Sequence, residues 1–186
     1  MTILMKNKII ILLLLLISSQ LFSQERYLTK EGYISFFSHS LVEDIKADNY
    51  QVLSVIDKKT GEIAIQLLMK SFMFKKALMQ EHFNQSYVES YKYPKATFKG
   101  FILNLKELDN KNGTVAVEIK GILSIHGKEK EISTMANVQI LKDQINLSGH
   151  FMVEVADFDI KIPIVVRNNI AKTIKITFDL QHKSYK

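Results

Sequence analysis

The sequence predicts an all-β fold of about eight antiparallel strands, in a sandwich or a closed barrel, with one short helical insert. Three observations indicate this class. Apolar residues recur at every second position over several stretches, turn-forming residues separate these stretches, and the connections are short enough to favour a meander. A chain of 186 residues suits a single domain with a sizeable core.

The clearest strand covers residues 114–125. Its apolar positions Val115, Val117 and Ile119 alternate with polar ones, which is typical of a strand with one buried face. The same period recurs in residues 63–69, 132–140, 145–155 and 174–180, and more weakly in 33–37, 50–56 and 95–105. Turn-forming sequences stand at residues 57–61, 109–113, 126–128 and 142–143.

One predicted strand changes the parity of its apolar residues. Ala96 and Phe98 share one parity, whereas Phe101 and Leu103 share the other. A bulge at residues 99–100 would place both sets on the same face, and such bulges help sheets curl into barrels.

Residues 76–90 depart from the period of two. Met79, Phe83 and Tyr87 recur every four residues, which predicts a short amphipathic helix. Because it lies between two predicted strands, we expect it to cover a sheet edge or a barrel mouth.

The first 23 residues have the pattern of an export signal. Lys6 and Lys8 precede an unbroken apolar run, residues 9–17, and a small and polar stretch follows it. A membrane-spanning helix needs about 20 apolar residues, so cleavage is favoured over an anchor. We predict a signal peptide over residues 1–23, a mature domain over 24–186 with no stable membrane span, and a periplasmic or secreted location.

Composition excludes several classes of protein. The chain has no cysteine, which excludes a lipidated cysteine, a disulfide framework, thiol catalysis and cysteine metal sites. The formal net charge of +6 becomes +4 once Lys6 and Lys8 leave with the signal. The remaining lysines stand mostly singly between apolar residues, as on the exposed face of strands, so nucleic acid is not an expected partner.

Three stretches in order resemble the YceI-like, polyisoprenoid-binding-type family. They are "ISFFSHSLVEDIKADN" at residues 34–49, "KYPKATF" at 92–98 directly after the helical insert, and "VEIKGILSIHGKEKEI" at 117–132. The resemblance implies an eight-stranded, lipocalin-like antiparallel barrel around an elongated apolar cavity. It also implies a carrier of an isoprenoid lipid or a quinone, which would be the bound ligand.

Aromatic and methionine side chains are concentrated along the predicted helix and its flanks. A barrel of about eight strands either is filled by side chains or holds one small ligand. Core packing explains any one of these residues, but as a group beside the insert they predict the mouth and upper wall of a pocket. The predicted ligand-binding residues are Phe72, Phe74, Met79, Phe83, Tyr87, Phe98 and Phe101. Lys75, Lys76 or Lys92 could face a phosphate head group, although surface lysines need no ligand to explain them.

Nothing in the sequence demands catalysis. The five histidines show no metal-ligand spacing, and no serine or aspartate stands in a known nucleophile motif. We therefore predict neither an enzyme nor a metal site nor a cofactor beyond a bound lipid or quinone. A small hydrolase or isomerase that uses His39 and His82 stays open as an alternative.

A filled barrel is the other alternative. Its interior would be plugged by Phe72, Phe98, Phe151 and Phe178, and it would bind a protein or glycan partner in the envelope. A homodimer also stays open.

Overall fold

The structure is a computed structural model, and it describes residues 25–105 and 113–185. The predicted signal peptide, residues 1–23, lies outside the described residues. These residues contain nine strands: β1 (Arg26–His39), β2 (Asp44–Asp57), β3 (Glu62–Leu68), β4 (Met73–Phe74), β5 (Lys95–Ile102), β6 (Thr114–Ile125), β7 (Lys128–Leu141), β8 (Gln144–Glu154) and β9 (Thr173–Tyr185). One helix, α1 (Ala77–His82), lies between β4 and β5.

The strands form a closed antiparallel barrel. Sequential neighbours pair from β5 to β9, β3 pairs with both β2 and β5, and β1 closes the circle by pairing with β2 and β9. The two-residue β4 adds to β2 beyond the end of β3. The eight-stranded antiparallel barrel with a short helical insert is therefore confirmed.

The barrel has two different ends. The mouth end carries residues 40–43, 69–94, 126–127 and 155–172, whereas the closed end carries residues 58–61 and 142–143 and both ends of the described chain. Large apolar side chains are fully buried towards the closed end, among them Ile56, Leu147 and Leu180. This half of the interior is therefore filled by side chains.

One polar pair is buried in the filled half. The ring of His182 has no exposed surface, and neither has Ser54. His182 Nδ1–H donates to the Ile145 carbonyl at 3.1 Å, and the Ser54 hydroxyl donates to His182 Nε2 at 2.8 Å. Because burial disfavours the charged imidazolium, the pKa of His182 falls to about 4.

The predicted bulge at residues 99–100 is wrong. The pairing of β5 with β3 and β6 runs without a register shift, and Gly100 lies opposite Gly121. A Cβ on Gly121 would stand 2.7 Å from Phe98 Cζ and would also clash with the Lys99 carbonyl. The glycine pair lets β5 and β6 approach closely, so its role is close packing between strands and not a change of parity.

The barrel wall has a seam between β7 and β8. These strands pair from Ala136–Gly149 to Leu141–Gln144, next to their connecting turn. Towards the mouth end, β7 continues to pair with β6 and β8 with β9, but not with each other. Across the seam, Thr134 Oγ1 donates to the His150 carbonyl at 3.0 Å, and Lys130 pairs with Asp157. The wall is thus held by side chains where the ladder is interrupted.

The helical insert is shorter than predicted. α1 covers six residues and continues as one π-helical turn, Phe83–Tyr87, in which Val88 N–H donates to the Phe83 carbonyl at 2.9 Å. Within residues 25–105 and 113–185, no helix has the length and apolar composition required to cross a bilayer.

Candidate ligand-binding site

An apolar cavity of about 350 Å³ occupies the mouth half of the barrel. Side chains of every strand except β7 contribute to its wall, and the helical insert and residues 155–172 surround its mouth. His82 lines it and is exposed, so the cavity reaches solvent beside α1. Its volume falls within the range of about 300–1,000 Å³ that is usual for small-molecule sites.

Four phenylalanine rings join the insert to the barrel wall. Phe83 of the π turn lies 5.4 Å from Phe36, 5.8 Å from Phe72 and 5.1 Å from Phe74, measured between ring centroids. Phe36 also contacts Phe72 and Phe74 at 5.3 and 5.6 Å. Aromatic pairs at these separations stabilise packing beyond the area that they bury. This Phe cluster positions α1 over the cavity.

The π turn explains why residues spaced by four share one face. In a regular α-helix, positions four apart drift around the axis, whereas the wider turn from Phe83 to Tyr87 reduces this drift. Met79, Phe83 and Tyr87 consequently all line the cavity. Burial raises the pKa of Tyr87, so its phenol stays neutral beside the apolar wall.

Six of the seven predicted ligand-binding residues line the cavity. They are Phe72, Phe74, Met79, Phe83, Tyr87 and Phe98. The seventh, Phe101, does not line the cavity: its side chain is 48% exposed and lies on the outer face of β5. The reason is the regular pairing at Gly100, which leaves Phe98 inside and Phe101 outside.

Two parts of the cavity wall were not predicted from the sequence. Phe36 lines the cavity, and its position two residues after the buried Ile34 in β1 could have predicted this. Residues 155–172 also contribute, including Phe158 and Ile160. The apolar residues at every second position from 158 to 166 were the signal for this part, although the segment forms short 3-10 turns and not a strand.

A histidine network holds Phe158 in place. His126 Nδ1 lies 3.0 Å from the Phe158 carbonyl, His126 Nε2 lies 3.0 Å from Glu89 Oε2, and the Tyr93 ring packs on the imidazole at 4.4 Å. These contacts tie the turn of residues 126–127 to the insert and to residues 155–158. His126 thus supports the cavity wall without lining it.

The rim of the cavity carries an ion pair. Lys76 Nζ lies 2.5 Å from Glu43 Oε1, which joins the start of α1 to residues 40–43, and Glu43 lines the cavity. Of the other lysines considered for a phosphate head group, Lys75 is exposed and Lys92 lies over the Tyr93 ring at 4.9 Å. The positive charge of Lys76 is therefore already balanced by Glu43.

The two histidines of the hydrolase alternative occupy different surroundings. His82 lines the cavity, whereas His39 lies outside the lining and its Nδ1 is 2.6 Å from Asp44 Oδ1. In the part of the chain that the structure describes, no group of three or more histidine, cysteine, aspartate or glutamate side chains could hold a metal ion.

The filled-barrel alternative assigned four phenylalanines to a plug. Phe72, Phe98 and Phe151 stand in the wall of the cavity, and Phe178 is buried without lining it. The interior thus keeps space between these rings.

The fold matches several solved structures. A polyisoprenoid-binding domain from Saccharophagus degradans superposes with a TM-score of 0.75 at 18% identity, over 88% of this chain and 100% of that domain. BcnA of Burkholderia cenocepacia gives 0.68 at 16% identity over 81% and 95%, and the YceI protein of Campylobacter jejuni gives 0.59 at 15% over 80% and 90%. At these identities the likeness shows the fold.

Comparison with sequences of curated proteins finds no significant match. Comparison with protein families does find one. Residues 29–182, nearly the whole described barrel, match the YceI-like domain, and the chain belongs to the YceI-like family.

Proposed function

We propose that the protein is an exported carrier that holds an elongated apolar ligand, an isoprenoid lipid or a quinone, inside the barrel. The observation that carries the proposal is the cavity of about 350 Å³, whose lining is almost entirely apolar and which reaches solvent beside α1. The likeness to a polyisoprenoid-binding domain supports the choice of ligand class.

Burial alone could supply the affinity. Each Å² of apolar surface removed from water contributes about 25 cal/mol, so a few hundred Å² contribute several kcal/mol before association costs are subtracted. Such binding needs no reacting group, and we propose that the protein is not an enzyme.

The polar side chains at the cavity are few and stand towards the mouth. Glu43, His82 and Asn169 belong to them. An amphiphile whose tail fills the apolar half would therefore leave its head group beside these residues. This orientation matches a pocket that is closed at one end and open at the other.

The first experiment uses the chain from residue 24 and native mass spectrometry. The protein isolated from its own cell envelope should carry a stoichiometric adduct, and solvent extraction should release a prenyl lipid or a quinone. A clean apo mass that persists after incubation with a long-chain isoprenoid quinone would contradict the proposal.

A matched pair of variants locates the ligand. Phe83→Asp places a charge in the Phe cluster and should abolish quinone uptake, whereas Phe101→Asp places the same charge on the outer face and should bind normally. Circular dichroism verifies that both variants are folded. Equal binding by the two variants would show that the ligand does not occupy this cavity.

We also propose export, which rests on the pattern of residues 1–23. N-terminal sequencing of the protein from the envelope and culture fractions tests it. A mature chain that begins near Gln24 is expected, and an uncleaved chain in the cytoplasm would contradict it.

A further inference from the structure

The mouth end carries the most exposed apolar side chains of the described protein. Five large apolar side chains are 61–104% exposed, and all of them lie on mouth-end segments: Leu41, Val42, Leu78, Tyr91 and Ile164. On the outer wall and at the closed end, the exposed fraction of a large apolar side chain is at most 60%. The mouth end therefore differs from the rest of the surface.

Three of these mouth-end segments surround the cavity. Residues 40–43, α1 and residues 155–172 each contribute side chains to its lining, and the Glu43–Lys76 ion pair joins the first segment to the second. Each segment also projects an aliphatic side chain away from the cavity: Leu41 with Val42, Leu78, and Ile164. We define these four residues as the mouth tips.

The charges around the mouth favour an anionic surface. Three carboxylates at this end are already paired within the protein, Glu43 with Lys76, Glu89 with His126 and Asp157 with Lys130. Lys75, Lys161 and Lys172 are exposed on the same segments, as are Glu81 and Asp159. Lys70 and Lys92 are exposed on these segments too, so the exposed lysines outnumber the carboxylates that no lysine pairs with, even when Glu89 is counted among them.

We propose that the mouth tips insert into the surface of a lipid bilayer that contains anionic lipids, so that the cavity mouth faces the membrane. Separate aliphatic tips flanked by lysines suit a fluid interface, since lysine stems can lie along the apolar boundary while their ammonium groups contact lipid phosphates. Tyr91 suits the same depth, because tyrosine is enriched at membrane interfaces. The inference rests on the proposed function, for which such docking would bring the ligand from the membrane to the mouth.

We expect the protein to bind the bilayer weakly. The tips are single side chains on short segments, and the nearby lysines are exposed and screened by salt. Binding should therefore be reversible and should weaken as salt is raised, as a carrier that leaves the membrane with its ligand requires.

Cosedimentation with vesicles tests the proposal. All strands of the described barrel and its buried core lie between residues 26 and 185, so the chain from residue 24 contains them. It is mixed with vesicles of equal parts phosphatidylethanolamine and phosphatidylglycerol. Leu41→Ser/Ile164→Ser should lower the partition coefficient for these vesicles by more than about tenfold, because burial of each aliphatic side chain is worth at least about tenfold in affinity.

The matched control is Met135→Ser/Tyr185→Ser, which removes exposed apolar side chains from the outer wall and the closed end. It should cosediment like the unmodified protein. An unmodified protein that stays in the supernatant, or a tip variant that sediments as well as the control, would overturn the docking proposal, and so would equal losses in both variants.

A second assay, uptake of the quinone from detergent, distinguishes the docking proposal from the carrier proposal. Leu41 and Ile164 do not line the cavity, so the tip variant should take up the quinone normally. Normal uptake without vesicle binding by the unmodified protein would refute docking and leave the carrier intact. Vesicle binding without uptake would refute the carrier, and docking would then lack the ligand on which it is based.

Discussion

Acidification should destabilise the barrel through His182. Its imidazole is fully buried between the Ser54 hydroxyl and the Ile145 carbonyl, and burial lowers its pKa from 6.5 to about 4. The unfolded chain therefore binds a proton as the pH falls below 6.5, while the folded chain resists it until about pH 4. The stability that the neutral His182 contributes is therefore fully present above pH 6.5 and is lost progressively as the pH falls to about 4.

The size of this loss follows from the pKa difference. A pH of about 5 lies about 1.5 units below the pKa of the unfolded histidine. Relative to neutral pH, the free energy of unfolding therefore falls by about 2 kcal/mol. The full loss, reached below about pH 4, is about 3 kcal/mol. Either value is a large fraction of the stability of an ordinary domain.

Urea unfolding followed by circular dichroism measures this effect at about pH 7 and about pH 5. Carboxylates also titrate in this range, so the comparison is with Ser54→Ala/His182→Leu, which removes both members of the polar pair. The unmodified protein should lose about 2 kcal/mol more than the variant between the two pH values. His150→Gln removes an exposed histidine and should behave like the unmodified protein. Equal losses in the unmodified protein and the double variant would refute the assignment to His182.

Three further predictions concern the barrel and its rim, and urea unfolding tests each. Gly121→Ala should lower the free energy of unfolding by at least about 2 kcal/mol, since its Cβ would meet Phe98 and a backbone carbonyl of β5; an unchanged midpoint would show that the strands can separate. Leu147→Ala, at a fully buried site in the filled half, should cost about 2–5 kcal/mol, and a smaller cost would indicate that the core collapses onto the cavity. Lys76→Ala should cost less than about 1 kcal/mol, because the lysine of the Glu43–Lys76 pair is largely exposed; a larger cost would mean that the pair anchors the insert.

Local patterns predicted the strands well. The alternation over residues 114–125 corresponds to β6, in which Val117, Ile119 and Leu123 are buried. The spacing of Met79, Phe83 and Tyr87 likewise identified one side of the cavity. These successes share a cause, since each property is encoded within a single strand or turn of helix.

The failures concern contacts between distant strands. Gly100 was assigned to a bulge because its own strand changes parity there, but its environment is set by Gly121 on β6. The burial of His182 depends on Ser54, which lies 128 residues away along the chain. Neither relation leaves a periodic signal in one segment, so sequence patterns alone could not reveal it.

The seam between β7 and β8 is the part of the barrel wall that should open at the lowest cost. Towards the mouth end the two strands are joined by the Thr134–His150 hydrogen bond, and the Lys130–Asp157 ion pair joins β7 to the turn that follows β8, so separating the strands there breaks no interstrand ladder. Phe151 and Val153 of β8 line the cavity beside this seam. A side-chain junction costs far less to open than a run of backbone hydrogen bonds. If the cavity of about 350 Å³ has to widen for a bulkier ligand, we therefore expect the wall to part at this seam while the other strand pairs stay intact.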